Sequence, residues 1–426
     1  MGLEQWLARL ETLHPNAIDL GLERVSAVAQ ALGLLPVRVP VVTVAGTNGK
    51  GSTVAVLEAL LCRQGRNVGV YTSPHLLRFN ERIRVGGVEA GDQEIVAAFE
   101  AIEEHRADTS LTYFEFATLA ALLVFQSRAA DILVLEVGLG GRLDAVNIVD
   151  PTVAVITRID LDHQSWLGAS RGSIAREKAG IMRRGVPVVI GDREPPRELL
   201  VSAREVGAVP VLRLGVQYNC EQGTGDWRGV LQDIDGKPRV LPPQPAGSLI
   251  PANICTALQA ALLLGCEFSD GQLDATLRQA RPRGRCERQS IAGRDYVLDV
   301  AHNPAAVYNL AEFLTVTPCK GKTIALFSVM EDKDVAGMIQ AASGCFAAWF
   351  VADQPANARA ARAADIATLL RAAGENEVSL SADLGEALRR AQESLSAGDR
   401  LVVFGSFSTL AEVLPEIERE CRGAGA

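Results

Sequence analysis

A chain of 426 residues, 48% of them hydrophobic, is long enough for two or three domains with cores of their own and excludes a disordered protein. A formal charge of −9 and a pI near 5.3 speak against a protein built mainly to hold nucleic acid or an anionic membrane surface, while leaving room for local basic pockets that meet small anions. The eight cysteines stand singly, with no C-x-x-C pair, which suits reduced, buried thiols in a cytosol better than a disulfide or zinc framework.

The opening stretch, "MGLEQWLARLETLHPNAIDLGLERV", scatters acidic residues among apolar ones and has no basic region leading into an apolar core, so it reads as no signal peptide. Trp6 stands where a myristoylation motif wants Ser or Thr. The apolar runs "LAALLVF" and "ALQAALLLG" are the length of buried helices, too short to span a bilayer, and a soluble, cytoplasmic protein is expected. Strand-like runs then alternate with helical periodicity: "VVTVAG", "VGVYT", "DILVLEVG", "TVAVITRID", "VPVVIG" and "VPVLRL". That alternation predicts an α/β fold, a mainly parallel sheet flanked by helices. Residues 215–247, rich in Gly, Pro and turn residues, predict short antiparallel strands inserted at its edge, and "PANICTALQAALLLG" and "DGQLDATLRQA" predict two helices. A proline and a glycine in "RPRGR", 281–285, mark a hinge between domains 1–282 and 283–426. The second block brings the strands "YVLDVA", "KTIALFSV", "CFAAWFVAD" and "DRLVVFGS".

The segment "VPVVTVAGTNGKGSTVAVLEALL", Val39 to Leu61, runs from a strand through a glycine-rich turn into a helix. It departs from the phosphate-loop pattern G-x-x-x-x-G-K-[ST] by one residue, because Gly51 separates Lys50 from Ser52. Gly46, Gly49 and Gly51 would let backbone N–H groups turn inward, the helix would add its positive end, and Lys50 a mobile charge, so polyphosphate is the natural occupant. The plainer reading is a glycine-rich turn with an incidental lysine. Magnesium at such a loop needs oxygen ligands at the end of a neighbouring strand. Glu136 interrupts an apolar strand, where a bare carboxylate is costly, so it calls for a cation: a metal, or Arg142 or another arginine in a salt bridge. Asp160, Asp162 and His163 follow the next strand, where ligands of parallel sheets gather; His163 is either a metal ligand or half of a hydrogen-bonded His–Asp loop pair.

In chain order, "GTNGKGS", "YTSPHL", "FEFATLAA", "LEVGLGGRLDAVNIV", "SIAREKAGI", "LDVAHNP" and "FGSF" together resemble the bacterial folylpolyglutamate synthase/dihydrofolate synthase family, the folate branch of the Mur-ligase-like ATP-dependent amide ligases. The resemblance implies a Mur-ligase-like central domain with a phosphate loop, joined to a smaller Rossmann-like α/β domain. It also implies a monomer that joins L-glutamate to dihydropteroate, or to tetrahydrofolate, by way of an acyl phosphate made from ATP. Carried over residue by residue, it puts Thr47, Asn48, Gly49, Lys50, Gly51 and Ser52 around the nucleotide phosphates, with Asn253, Arg285 and Asp299 as further nucleotide contacts. Ser73, Glu136 and His163, with Ser52 close by, match the magnesium positions, and the resemblance implies two ions. Lys178 matches a lysine carbamylated by carbon dioxide, and an ordinary surface lysine is the plain alternative. Lys50, Lys178 and His163 form the implied catalytic set. For the pterin or folate the matching segments are Asp19, Leu20 and Gly21; Thr112, Tyr113, Phe114 and Glu115; and Leu143, Asp144 and Ala145. An aromatic such as Phe114 can stack on a flat ring, whereas core packing is the bland reading of Tyr113, Phe114 and Phe116. His302 and Ser406 match positions that hold the incoming glutamate, although Ser408 stands where the family commonly has histidine. Because Arg285 and Asp299 lie beyond the hinge, catalysis is expected to need domain closure. Two competing readings are a Mur-type ligase of nucleotide-sugar peptides, disfavoured because only about 40 residues precede the first strand, too few for a typical domain, and a nucleotide-dependent switch, which leaves Glu136, His163 and the second block without a shared purpose.

Overall fold

The computed structural model describes every residue except Ala17, Thr224, Ala292 and 425–426, and the side chains up to Glu420, so that Cys421 lies outside the described side chains. The chain divides into two compact units, residues 1–245 with 250–280, and residues 246–249 with 281–426. Among the described residues no helix is long and apolar enough to cross a membrane. The cysteines with described side chains are free thiols.

The first unit is built on eight strands: β1 (Val41–Ala45), β2 (Val68–Tyr71), β3 (Ile83–Val85), β4 (Val88–Glu89), β5 (Ile132–Glu136), β6 (Val153–Ile156), β7 (Val188–Ile190) and β8 (Val211–Arg213). They lie in the order β4-β3-β2-β5-β1-β6-β7-β8, parallel except at β3 and β4. The central strands are buried along their whole length, as valine- and leucine-rich strands with helices on both faces must be. One core gathers Trp6, Phe99, Phe116 and Leu133 between the sheet and the helices Leu3–Leu13, Asp92–His105 and Tyr113–Ser127. A second joins Ile156 and Ile190 to the helices Arg171–Ala179 and Arg197–Val206. Because β1 sits between β5 and β6, the direction of winding reverses there, and the carboxyl ends of β1, β5 and β6 open a crevice of the kind in which α/β sheets bind ligands.

Two local features differ from the sequence expectation. The hairpin β3–β4 lies outside the expected strands; its turn is Gly86-Gly87, with φ of 62° and 79°, the left-handed pair that a two-residue hairpin loop requires. The Gly- and Pro-rich stretch does form short antiparallel strands, β9 (Asn219–Gln222), β10 (Asp226–Gln232), β11 (Pro238–Val240) and β12 (Gln244–Pro245), but they make a sheet of their own instead of extending the large one. That sheet is tied to the helix Pro251–Leu263 by the fully buried Gln259, which accepts the Gln232 N–H (2.8 Å) and donates to the Gln232 carbonyl (2.7 Å). The same helix packs on Lys50–Arg63, directly behind the glycine-rich turn.

The second unit holds β13 (Glu287–Ile291), β14 (Arg294–Leu298), β15 (Thr323–Phe327), β16 (Ala348–Ala352), β17 (Val378–Ser381) and β18 (Arg400–Phe404), ordered β13-β14-β18-β15-β16-β17 and parallel except for β13. Phe327, Trp349 and Phe404 form its aromatic centre, the Phe327 and Phe404 rings 4.8 Å apart. The four strands expected from sequence are its inner ones. The edge strands β13 and β17 carry no comparable sequence signal, because edges have polar, half-exposed side chains and lack a continuous apolar run.

Candidate active site

The glycine-rich turn leaves the carboxyl end of β1 and enters the helix Lys50–Arg63. Two of its glycines are dictated by close approach. A Cβ on Gly46 would fall 1.7 Å from Thr157 Oγ1, and one on Gly49, whose φ is 98°, would fall 2.4 Å from Asn253 Oδ1. Asn253, matched from far along the chain, is thus seated against the loop. Gly51 differs from expectation: it is the second residue of the helix and takes no positive φ, so it does not bend the loop. Thr47 pins the loop to the end of β6, its N–H donating to the Arg158 carbonyl (2.8 Å) and its hydroxyl to the Asp160 carbonyl (3.0 Å). Asn48 N–H reaches the same Arg158 carbonyl (3.3 Å). Lys50 Nζ folds back on the Gly46 and Thr47 carbonyls (3.1 and 3.3 Å). Lys178 Nζ also donates to the Gly46 carbonyl, at 2.9 Å. Two cations 128 residues apart in sequence therefore converge on one backbone oxygen of the loop.

Lys178 is buried, which rules out the surface-lysine reading. Burial, with Lys50 as a second cause, pushes its ammonium down to about 7, against the pull of Asp162 and Asp144. Glu136 ends β5, buried, and the Ser73 N–H approaches its carboxylate at 3.4 Å. A salt bridge to Arg142 is not what holds it, since Arg142 pairs with Glu177 (3.0 Å). Arg84, whose own partner is Glu58 (2.8 Å), lies within the field of Glu136. His163 is exposed in a left-handed conformation (φ 49°), and its backbone N–H donates to the buried Asp162 carboxylate at 2.8 Å. Among the described residues no three His, Cys, Asp or Glu side chains gather closely enough to hold a metal ion by themselves. Buried Ser52 and Glu136, with Ser73 beside the latter, are hard oxygen donors, and such a set fits a magnesium-like cation that draws its remaining ligands from phosphate and water.

The three segments matched to the pterin are brought together. Asp19 pairs with Arg24 (2.9 Å), and Arg24 reaches on to Glu115 (3.2 Å). Thr112 and Glu115 cap the helix Tyr113–Ser127 reciprocally, Thr112 N–H donating to Glu115 Oε2 (2.7 Å) and Glu115 N–H to Thr112 Oγ1 (3.2 Å). Glu115 is therefore committed to the cap and to Arg24, a bridge that nothing in the sequence marked. Leu20 and Gly21 are half-buried next to Asp19. Phe116 is core, as the bland reading had it; Tyr113 and Phe114 are half-buried, and the Phe114 ring fills the space where a Cβ on Gly138 would lie, 2.5 Å from its Cζ. Beyond Gly138, between Leu143 and Ala145, Asp144 is buried and accepts the Leu139 and Val146 N–H groups (2.8 and 3.0 Å); burial raises its carboxyl to about 6.

In the second unit, Asp299 and Ser406 follow the carboxyl ends of the adjacent strands β14 and β18. Asp299 is buried, accepts the Cys286 and Ala301 N–H groups (2.7 Å each), and is raised above the usual carboxylate range by burial. The Arg285 guanidinium and the His302 ring both lie near Phe407, at 5.4 and 6.3 Å from its ring centre. Ser406 is hydrogen-bonded to Ser408 (3.0 Å) and Thr409 (2.7 Å), and Ser408 donates to Gln354 Oε1 (2.8 Å).

Residues 44–219 match the Mur ligase middle domain, and residues 284–407 match the Mur ligase, glutamate ligase domain. The chain is 41% identical to the dihydrofolate synthase/folylpolyglutamate synthase of Escherichia coli (strain K12) over 99% of its own length and 97% of that protein's. It is 37% identical to the protein of that name from Haemophilus influenzae, covering 98% of both. The chain belongs to the dihydrofolate synthase/folylpolyglutamate synthase family. Its fold matches E. coli FolC in complex with DHPP and ADP with a TM-score of 0.91 at 41% identity, covering 98% of each chain. It matches a bifunctional folylpolyglutamate synthase/dihydrofolate synthase with Mn, AMPPNP and L-glutamate bound with a TM-score of 0.89 at 40% identity, again over 98% of each. Such end-to-end coverage sets aside the nucleotide-sugar ligase and the switch as readings of a dihydrofolate synthase/folylpolyglutamate synthase chain.

Proposed function

We propose that this ATP-dependent ligase joins L-glutamate to dihydropteroate, forming dihydrofolate, and adds further glutamates to tetrahydrofolate. The observation that carries the reading is the pair of lysines on the Gly46 carbonyl, beside a buried Glu136 and a phosphate loop closed by Asn253. A carboxylate resists attack by an amine because oxide is a hopeless leaving group. The acceptor carboxylate therefore takes the γ-phosphoryl of ATP, the glutamate amine adds to the acyl phosphate, and the tetrahedral adduct collapses to an amide and phosphate. Phosphoryl transfer of this kind depends on positioning and charge neutralisation. Thr47 to Ser52 hold the phosphates with backbone N–H groups, and Lys50, released from the loop carbonyls, follows the charge on the transferring group. Ser52, Ser73, Glu136 and His163 would hold a divalent cation, which would supply electrostatic neutralisation of the phosphates.

Lys178 becomes a carbamate in this reading. A free amine adds to carbon dioxide with loss of one proton, and an ammonium held near 7 is about half free at neutral pH, whereas an ordinary lysine is free in only about one molecule in a few thousand. The resulting anion would sit opposite Lys50. Asp19 to Gly21, Thr112 to Glu115 and Leu143 to Ala145 frame the pterin, with Phe114 stacking on it. Arg285 and Asp299 are further nucleotide contacts in this reading, and His302 and Ser406 receive glutamate. The protein acts as a cytoplasmic monomer without nucleic-acid or membrane partners. Phosphate release from ATP, measured with dihydropteroate or tetrahydrofolate and glutamate each added or omitted and with products weighed by mass spectrometry, tests the function. Release indifferent to both acceptor and glutamate would sink it.

A further inference from the structure

Arg82 ends the helical turn Phe79–Arg82 and is 9% exposed. Its neighbours in sequence are paired, Arg78 with Asp92 (3.1 Å) and Arg84 with Glu58 (2.8 Å). Arg82 is not: among the described residues no carboxylate forms an ion pair with it. Its Nε donates to His75 Nδ1 at 2.8 Å, and its guanidinium carbon stands 5.6 Å from the Phe79 ring centre and 5.5 Å from that of Tyr113. His75 gives Arg82 a hydrogen-bond acceptor and no carboxylate. A guanidinium on a side chain only 9% exposed, with ring faces and an imidazole acceptor as its described neighbours, is costly to keep unless an anion arrives.

The place of Arg82 says which anion. Its carbonyl accepts the Thr72 N–H (2.9 Å), so its backbone lies alongside the end of β2 that leads into Ser73, whose N–H approaches Glu136. Its ring partner Tyr113 belongs to the segment assigned to the pterin. In the proposed function the nucleotide phosphates already have Lys50 and the loop N–H groups. An acceptor that must present a carboxylate for phosphorylation has no assigned cation. Resting on the function proposed above, we infer that Arg82 binds a carboxylate of the acceptor, benzoate in dihydropteroate or glutamyl in a folate, through its two terminal nitrogens. His75 fixes the plane of the guanidinium by taking its Nε proton in a hydrogen bond, and Phe79 and Tyr113 hold its face, so that the fork is presented ready-made.

Steady-state kinetics of Arg82→Met and Arg82→Lys provide the test. Removing a charge-assisted hydrogen bond raises KM for dihydropteroate about 10- to 100-fold in the methionine variant, with KM for ATP changed less than about twofold and partial recovery in the lysine variant. An unchanged acceptor KM in a folded Arg82→Met protein, or loss of thermal stability as its sole effect, overturns the inference. Should the variant fail to fold, the wild-type protein decides: dihydropteroate with its carboxylate replaced by a carboxamide should bind as a competitive inhibitor about tenfold or more weaker than dihydropteroate itself, and equal binding refutes the role. Wild-type protein inert toward every acceptor would fail the ligase reading instead, so the two failures are distinguishable.

Discussion

The loop at the end of β1 and the hydroxyl cluster after β18 are both built from small polar residues at strand ends, and they are built for different work. Around the loop, charge is concentrated and held away from its ordinary state: Lys50 and Lys178 lean on one carbonyl, Lys178 is pushed down to about 7 and Asp144 up to about 6. Around Ser406, neutral donors and acceptors satisfy one another through Ser408, Thr409, Gln354 and Ser328. A region whose electrostatics await a ligand should fail in turnover when altered. A region whose hydrogen bonds are closed should fail in affinity or stability.

Substitutions can break that contrast, and the largest effect falls on the loop. Lys50→Met should lower kcat about 1,000-fold, because the lost charge acts on the transferring phosphoryl group. A kcat within tenfold of the wild type would move Lys50 out of the chemistry.

Lys178 gives the next effect and a pH signature. Its ammonium is protonated below about 7, so the free amine available to carbon dioxide rises about tenfold from about pH 6 to about pH 8 at fixed dissolved carbon dioxide. Activity of protein depleted of carbon dioxide should recover on adding bicarbonate, faster at the higher pH, and Lys178→Gln should show neither recovery nor pH dependence of recovery. The linkage has the same sign. The folded pKa lies below that of a free lysine, so the unfolded chain binds more protons between about 7 and about 10.5, and the unmodified lysine costs less stability as pH rises through that window.

Ser406→Ala should cost about 1 kcal/mol of stability by leaving Thr409 and Ser408 short of a partner, and should raise KM for glutamate about tenfold with kcat within a factor of about three. A fall in kcat with unchanged KM would erase the distinction between the two regions. Ser408→Ala, which loses one bond to Gln354, should be the mildest, with KM for glutamate changed less than about threefold in the same assay.

Much of the architecture was legible in the residues because valine-rich runs, glycine-rich turns and helical periodicity are local signals. The strands β1, β2, β5 to β8, β14 to β16 and β18 could be read directly, and so could Glu136 as a carboxylate in need of company. The hairpin at Gly86-Gly87 carries a local signal too, in its pair of adjacent glycines. The separate sheet β9 to β12 could not be read, because whether short strands extend a neighbour or pair among themselves depends on contacts such as those of Gln259. The bridge from Asp19 through Arg24 to Glu115, and the unpaired Arg82, were equally silent, since the charge of an arginine is written in the sequence and its partner is not.

By itself the sequence determined the element types, the family and the residue chemistry available at each strand end, all of which rest on spacing along the chain. Only the tertiary structure decided which of those groups share a dielectric. Lys178 is an ordinary basic residue of a short helix until the packing of that helix buries it against Gly46, and burial and a neighbouring charge, both properties of distance through space, are what bring its amine to about 7.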